Sequence, residues 1–199
     1  MSGPISEAKS APADRETTGP FDESEVSGVR PYVDLGALKL VPREGLNLRL
    51  EVEEGSGRVV AVAMDYQGST LQVQAFASTR SQGLWHEVRS QLSEQISTQG
   101  GSVEDTLSEI GPELLCKVPA LVEGKQVFQE VRFIGVDGPR WFLRGVIAGP
   151  AATNPEMGAR MMELFRDIVV VRGQQPMPPR ELMPLKVPEQ AAGIAPTQR

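Results

Sequence analysis

A chain of 199 residues, 40% hydrophobic and 23% charged, has the make-up of one globular domain with room for tails. Its net charge of −6 and pI near 5.0 argue against general affinity for nucleic acid. One cysteine, Cys116, excludes an intrachain disulfide, and one histidine, His86, excludes a histidine-rich metal site.

The opening MSGPISEAKSAPADRE has no apolar core of a signal peptide, and no apolar run approaches the ~18 residues of a membrane span. A cytoplasmic setting without membrane or cofactor is the expectation. The charge is uneven: residues 1–124 carry 19 acidic against 10 basic residues, and residues 125–199 carry 7 against 10. Such a split fits either a basic patch or two halves that pair with each other.

Residues 1–29 are rich in Ser, Pro, Gly and acids, and predict a disordered acidic tail. A single α+β domain is expected over 30–172. Leu46, Leu48, Leu50 and Val52 alternate with polar residues, the pattern of a half-buried strand. Turns at Gly55-Ser56-Gly57 and Gln67-Gly68 extend it to a three-stranded meander over 46–77. Leu84, Trp85, Val88, Leu92 and Ile96 then recur at helical spacing, with Ser81 a candidate cap and Gly100-Gly101 a stop.

Two further strands are predicted over 103–110 and 113–120, before the stretch Val127 to Gly149. Apolar residues occupy both parities on either side of Asp137-Gly138-Pro139, so a central hairpin covered on both faces is expected. Arg132 and Arg144 interrupt it, and the length of its turn decides whether they share a face. Pairing of these guanidiniums, for instance with Glu130, is the ordinary expectation.

A second helix is predicted from about Pro155 to Phe165, and a last strand over Asp167 to Val171. Residues 173–188 are too rich in proline for regular structure and predict a strap laying Leu182, Met183, Leu185 and Val187 on the body. Residues 189–199 read as a loose tail. The sum is α+β: a largely antiparallel sheet of about seven to eight strands with two covering helices, the repeated order of strands then helix hinting at duplication.

Several segments together resemble a known family: GPFD at Gly19, YVDLGAL at Tyr32, GLWHEVRSQLSEQISTQGG at Gly83, VRFIGVDGPRWFLRGVIAG at Val131 and FRDIVVVRGQQPMPPRELMPLKVP at Phe165. The set is similar to the domain of unknown function 3710 family of high-GC Gram-positive bacteria, over residues 19 to 188. That resemblance implies no activity, cofactor or catalytic residue.

No P-loop, dinucleotide fingerprint or CxxC is present. Cys116 in LLCKV reads as a small buried apolar residue, and His86 as a structural one. The chemistry with some reach is basic: Arg132, Arg140 and Arg144 with Trp141, then Arg160, Arg166 and Arg172. The reading favoured is a non-catalytic binding or adaptor protein with a protein partner or a second copy of itself. The alternative is a nucleic-acid or nucleotide-binding accessory protein using those arginines.

Overall fold

The structure, a computed structural model, describes residues 6–188 and the backbone of 195–198. Along the chain run α1 (Arg15–Thr18), β1 (Phe21–Asp22), β2 (Val33–Asp34), β3 (Leu38–Leu40), β4 (Asn47–Val52), β5 (Val59–Tyr66) and β6 (Ser69–Ala77). There follow α2 (Trp85–Thr98), β7 (Ser102–Ser108), β8 (Gly111–Val122), β9 (Lys125–Asp137), β10 (Trp141–Ala148), α3 (Pro155–Arg166), β11 (Val169–Val170) and β12 (Ala195–Gln198).

Seven antiparallel strands form the main sheet in the order β4-β5-β6-β10-β9-β8-β7, with β12 parallel on the outer side of β4. A second sheet, β1-β11-β3-β2, is built from strands of two or three residues. The expected α+β class is therefore what the structure has. The two meanders meet at their last strands, because β10 returns to pair with β6 from Ala77 to Thr70.

Register fixes which side chains share a face. Leu50, Val62, Val73, Gly145 and Ile134 stand in one row across the sheet. On that face they join α3 and the small sheet in the main core, which includes Leu143, Ile147, Met161, Phe165 and Val170. Arg49, Ala63, Gln72, Val146, Phe133 and Leu114 form the next row, on the opposite face. There α2 lays Leu84, Trp85, Val88, Leu92 and Ile96 on Phe142, Phe133, Leu114 and Cys116. The two helices thus take opposite faces of one sheet.

The hairpin around Asp137 is dry on both sides, with Ile134, Val136, Trp141, Phe142 and Leu143 at most 1% exposed. The cover stops short at the hairpin's far end, where Phe128 is 56% exposed. Pairing of Asp137 with Phe142 leaves four residues in the turn, an even number, so Arg132 and Arg144 point to opposite faces.

Asp137 is the junction of three segments. Its carboxylate is 2% exposed and accepts the backbone N–H of Ser10 at 2.9 Å, of Leu84 at 2.8 Å and of Trp85 at 3.4 Å. It therefore caps α2 from outside the helix, and Ser81, the expected cap, is not used. Gly83 is needed for this approach, since a Cβ there would lie 2.6 Å from Asp137 Oδ2. Gly135 likewise leaves room for the Trp85 ring, which a Cβ would meet at 2.4 Å.

The stretch expected to be a disordered tail is instead a clasp over this junction from residue 7 onward. Glu7 and Ser10 pair through backbone with Gly83 and Asp137, and the Lys9 amine donates to the carbonyls of Thr79 and Pro139. Asp22 Oδ1 accepts Trp141 Nε1–H at 2.8 Å, and Arg15 lies over the Trp141 ring at 5.6 Å while paired with Glu25. These contacts are polar and aperiodic, so the low hydropathy that suggested disorder carried no information about them.

The proline-rich strap enters where β5 and β6 diverge. Their pairing stops at Val62–Val73, and beyond it Glu181 and Met183 bond the backbone of Ala77 and Ala75. Met183 and Leu185 are buried, whereas Val187 is 57% exposed. Residues 189–194 and 199 of the expected loose end lie outside the described residues, and 195–198 pair as β12.

Replacement of Asp137 by Ala leaves three backbone N–H groups without an acceptor and removes the cap of α2. A loss of about 2–4 kcal/mol is expected. Asp137→Asn, which keeps one acceptor oxygen, should lose less, in the range of about 1–2 kcal/mol. Urea unfolding followed by tryptophan fluorescence measures both, and equal stability of Asp137→Ala and the parent would refute the junction.

Candidate functional site

The structure does not gather the arginines singled out in the sequence. Arg132 lies on the α3 face, where Nε and Nη2 bond the Glu113 carboxylate at 2.7 and 3.0 Å. Glu113 is 2% exposed, so this is a buried bidentate pair, made with Glu113 and not with Glu130. Arg144, on the α2 face, bonds the Gln74 side-chain carbonyl and lies over the Phe76 ring at 5.8 Å. Trp141 is fully buried and offers no stacking surface.

Arg160 bonds Gln67 and pairs with Glu156 at 3.3 Å. Arg166 is tied to the N-terminal clasp through Asp14 at 2.9 Å and the Thr18 carbonyl at 3.2 Å. It is one of the pairs that join the basic part of the chain to the acidic part. Arg140 and Arg172 alone of the set come together, at the loop 173–175, where each donates to a backbone carbonyl.

Among the described residues neither Cys116 nor His86 has a hydrogen bond that would make a nucleophile–base pair. His86 Nδ1 is 3.2 Å from Arg89 Nη2 on α2. Cys116 is fully buried under α2, and burial, with the Asp105 charge adding to it, pushes its thiol up to about 11. A thiol so placed is neutral and closed to reagents near neutrality. Among the described residues no group of three or more His, Cys, Asp or Glu could hold a metal ion.

Beside α2 runs a groove of about 260 Å³. Phe76, Val88, Leu92 and Phe142 floor it, and Arg144 with the Arg180–Glu87 pair stands at its rim. Its floor continues the ring stack of Phe76 on Phe142 at 5.9 Å and of Phe142 on Trp85 at 5.8 Å.

The largest departure from a covered sheet is at the other end of the β8–β9 hairpin. β7 accompanies β8 only as far as Lys117, and β10 accompanies β9 only as far as Val131. Residues 118–130 therefore project as a two-stranded arm whose strands pair only with each other, from Val118–Gln129 to Val122–Lys125. Glu123 and Gly124 close it with φ of 52° and 75°, the geometry of a two-residue hairpin turn.

Pro119, Leu121 and Phe128 share one face of the arm, and Ala120, Val122 and Val127 the other. Leu121 is 77% exposed, Val122 48% and Phe128 56%. The sequence reading passed over Leu121 and Val122 as a connection and took Val127 and Phe128 as covered. The available signal was VPALV and KQVFQ standing at both parities around Glu123-Gly124.

The native protein should resist thiol-specific disulfide reagents at pH 8, with Cys116 reacting at least about 100-fold more slowly than in the urea-unfolded chain. A thiol held above its ordinary value of 9.0 favours the folded state below that pH. That contribution should be lost as the pH rises towards about 11. Rapid labelling of the folded protein at pH 8 would contradict the placement of Cys116.

No helix of the described residues is long and apolar enough to cross a membrane. No curated protein and no solved structure matches the chain. The profile of the family described as "Protein of unknown function (DUF3710)" matches residues 19–193, which is most of the chain, and the protein belongs to that family.

Proposed function

We propose that this is a non-catalytic binding or adaptor protein of the cytoplasm that works through protein–protein contacts. Its contact element is the arm over 118–130, and the occupant of the arm is a second copy of the chain. The observation that carries the reading is the exposure of Leu121, Val122 and Phe128 at the outer end of a ribbon that is tied to the α2 layer only at its base, through Val118.

Charge does not oppose self-association there. Within 118–130 Lys125 stands against Glu123 and Glu130, so the arm carries only one unit of the chain's net −6. The two edges differ. Val122–Lys125 closes the turn as a hydrogen-bonded pair, so Pro119 and Leu121 direct their outer backbone groups away from β9. Pro119 has no N–H to give, which blunts the β8 edge.

On β9 the backbone of Gln126, Phe128 and Glu130 faces outward without interruption. Two β9 edges paired antiparallel about Phe128 set the two Phe128 rings side by side and Gln126 opposite the partner's Glu130. Cross-strand pairs of this kind contribute about 0.2–1 kcal/mol each beyond the strand pairing itself.

Light scattering on the full chain tests this. A dimer is expected, and Phe128→Asp should raise its dissociation constant at least about tenfold, close to 1.4 kcal/mol. Val29→Asp, at a fully exposed valine away from the arm, should leave it unchanged. A parent protein that is monomeric at about 100 μM, or a Phe128→Asp variant that dimerises as the parent does, overturns the proposal.

A further inference from the structure

Arg140 lies in the turn before β10, and Arg172 follows β11. Their guanidiniums bond the same short loop: Arg140 Nη1 donates to the Gly173 carbonyl at 3.4 Å and Arg172 Nη1 to the Gln175 carbonyl at 2.9 Å. Neither has a carboxylate partner among the described residues, whereas Arg15, Arg43, Arg49, Arg132 and Arg166 each do. Arg172 Nε is buried without a hydrogen-bond partner, the one such side-chain nitrogen or oxygen among the described residues. Burial first, and the Arg140 charge second, hold the Arg172 guanidinium below its ordinary range.

Two converging cations and a donor lacking an acceptor are an unfavourable arrangement in isolation. Like charges in a partly buried setting repel, and a buried donor left unpaired costs about 1–3 kcal/mol. The repulsion is relieved when an oxyanion sits between the two forks, and its contacts with the guanidinium ends also change the surroundings of the enclosed Nε–H. The loop leaves room beside Gly173, where a built Cβ would meet nothing within 4 Å. The charge selects the ligand. A phosphoryl group carries about −1.5 to −2 at neutral pH and matches two guanidiniums, whereas a carboxylate leaves one positive charge over. Guanidinium forks also donate to phosphoryl oxygens in pairs, which an ammonium does not.

We propose that Arg140 and Arg172, with the loop 173–175 between them, form a binding site for a phosphoryl oxyanion. The site is independent of the arm and lies on other elements. Free inorganic phosphate and the phosphoryl end of a nucleotide share the required chemistry.

The test follows arginine Nε–H resonances by NMR in the ¹⁵N-labelled full chain, with inorganic phosphate and, separately, adenosine monophosphate added at fixed ionic strength. A saturable shift of the Arg172 Nε–H signal is expected, with a dissociation constant of about 1 mM or tighter that weakens as chloride is raised. Arg140→Gln should weaken binding at least about tenfold. Arg172→Lys, which keeps the charge and loses the fork, should weaken it too, and Arg160→Gln should not. Tighter binding of the nucleotide assigns the site to nucleotides, and equal binding assigns it to the free anion. Absence of a saturable shift with both probes up to about 10 mM overturns the proposal, and so does unchanged affinity in Arg140→Gln.

Discussion

A single buried carboxylate holds the architecture together. Asp137 ends β9, yet its hydrogen bonds go to the start of α2 and to the N-terminal clasp, segments 53 and 127 residues away in sequence. Burial of a charged carboxylate is tolerated only where N–H donors replace water. Here they come from backbone that itself needs acceptors, because the first N–H groups of a helix have none within it. Each side supplies what the other lacks. The result fixes where α2 begins, and so which face of the sheet the helix covers.

From that anchor the two-sided character of the hairpin follows. With α2 tied at Leu84 and Trp85, Trp85 falls over Gly135 and stacks on Phe142, while the main core forms behind the sheet against α3. The four-residue turn then sends Arg132 towards α3 and Arg144 towards α2. Arg132 reaches a face where little water remains, and a bidentate carboxylate, Glu113, meets it there. Arg144 reaches the groove beside α2, where an amide and an aromatic ring receive it. A patch drawn from sequence proximity therefore had to dissolve, since register and not spacing decides which charges meet.

What was legible in the sequence was whatever leaves a periodic trace. The alternation around Leu48 and Leu50, the helical spacing from Leu84 to Ile96 and the doubly apolar hairpin all placed elements within a few residues of where they lie. What was not legible is carried by single contacts. The two-residue strands of the small sheet are too short to show a period, and the clasp binds through Ser10, Lys9 and Asp22 without an apolar face. Asp137 beside Gly138 reads as turn chemistry, and nothing local says that its carboxylate turns inward to donors so far along the chain. Of the arginines, only the meeting of Arg140 and Arg172 survives as a constellation, and it depends on the loop at Gly173 folding back.

The arm poses the opposite problem, a sequence pattern that persists after its structural reason has ended. Apolar residues at both parities are needed in β9 wherever α2 and α3 flank it, that is, over Phe133 to Val136. Beyond Val131 the neighbouring strand is gone and the α2 layer reaches only Val118, and yet Val127 and Phe128 continue the pattern, with Leu121 and Val122 on the paired strand. A ribbon left in water for its own sake would alternate polar and apolar or carry charges along its edges. The outer strand β7, with Glu104 and Asp105, carries charge, and Pro119 blunts one side of the arm. The β9 edge carries charge only at its two ends, Lys125 and Glu130, and keeps every backbone donor around Phe128, and this asymmetry between two edges of one hairpin is what points to an edge meant to be filled.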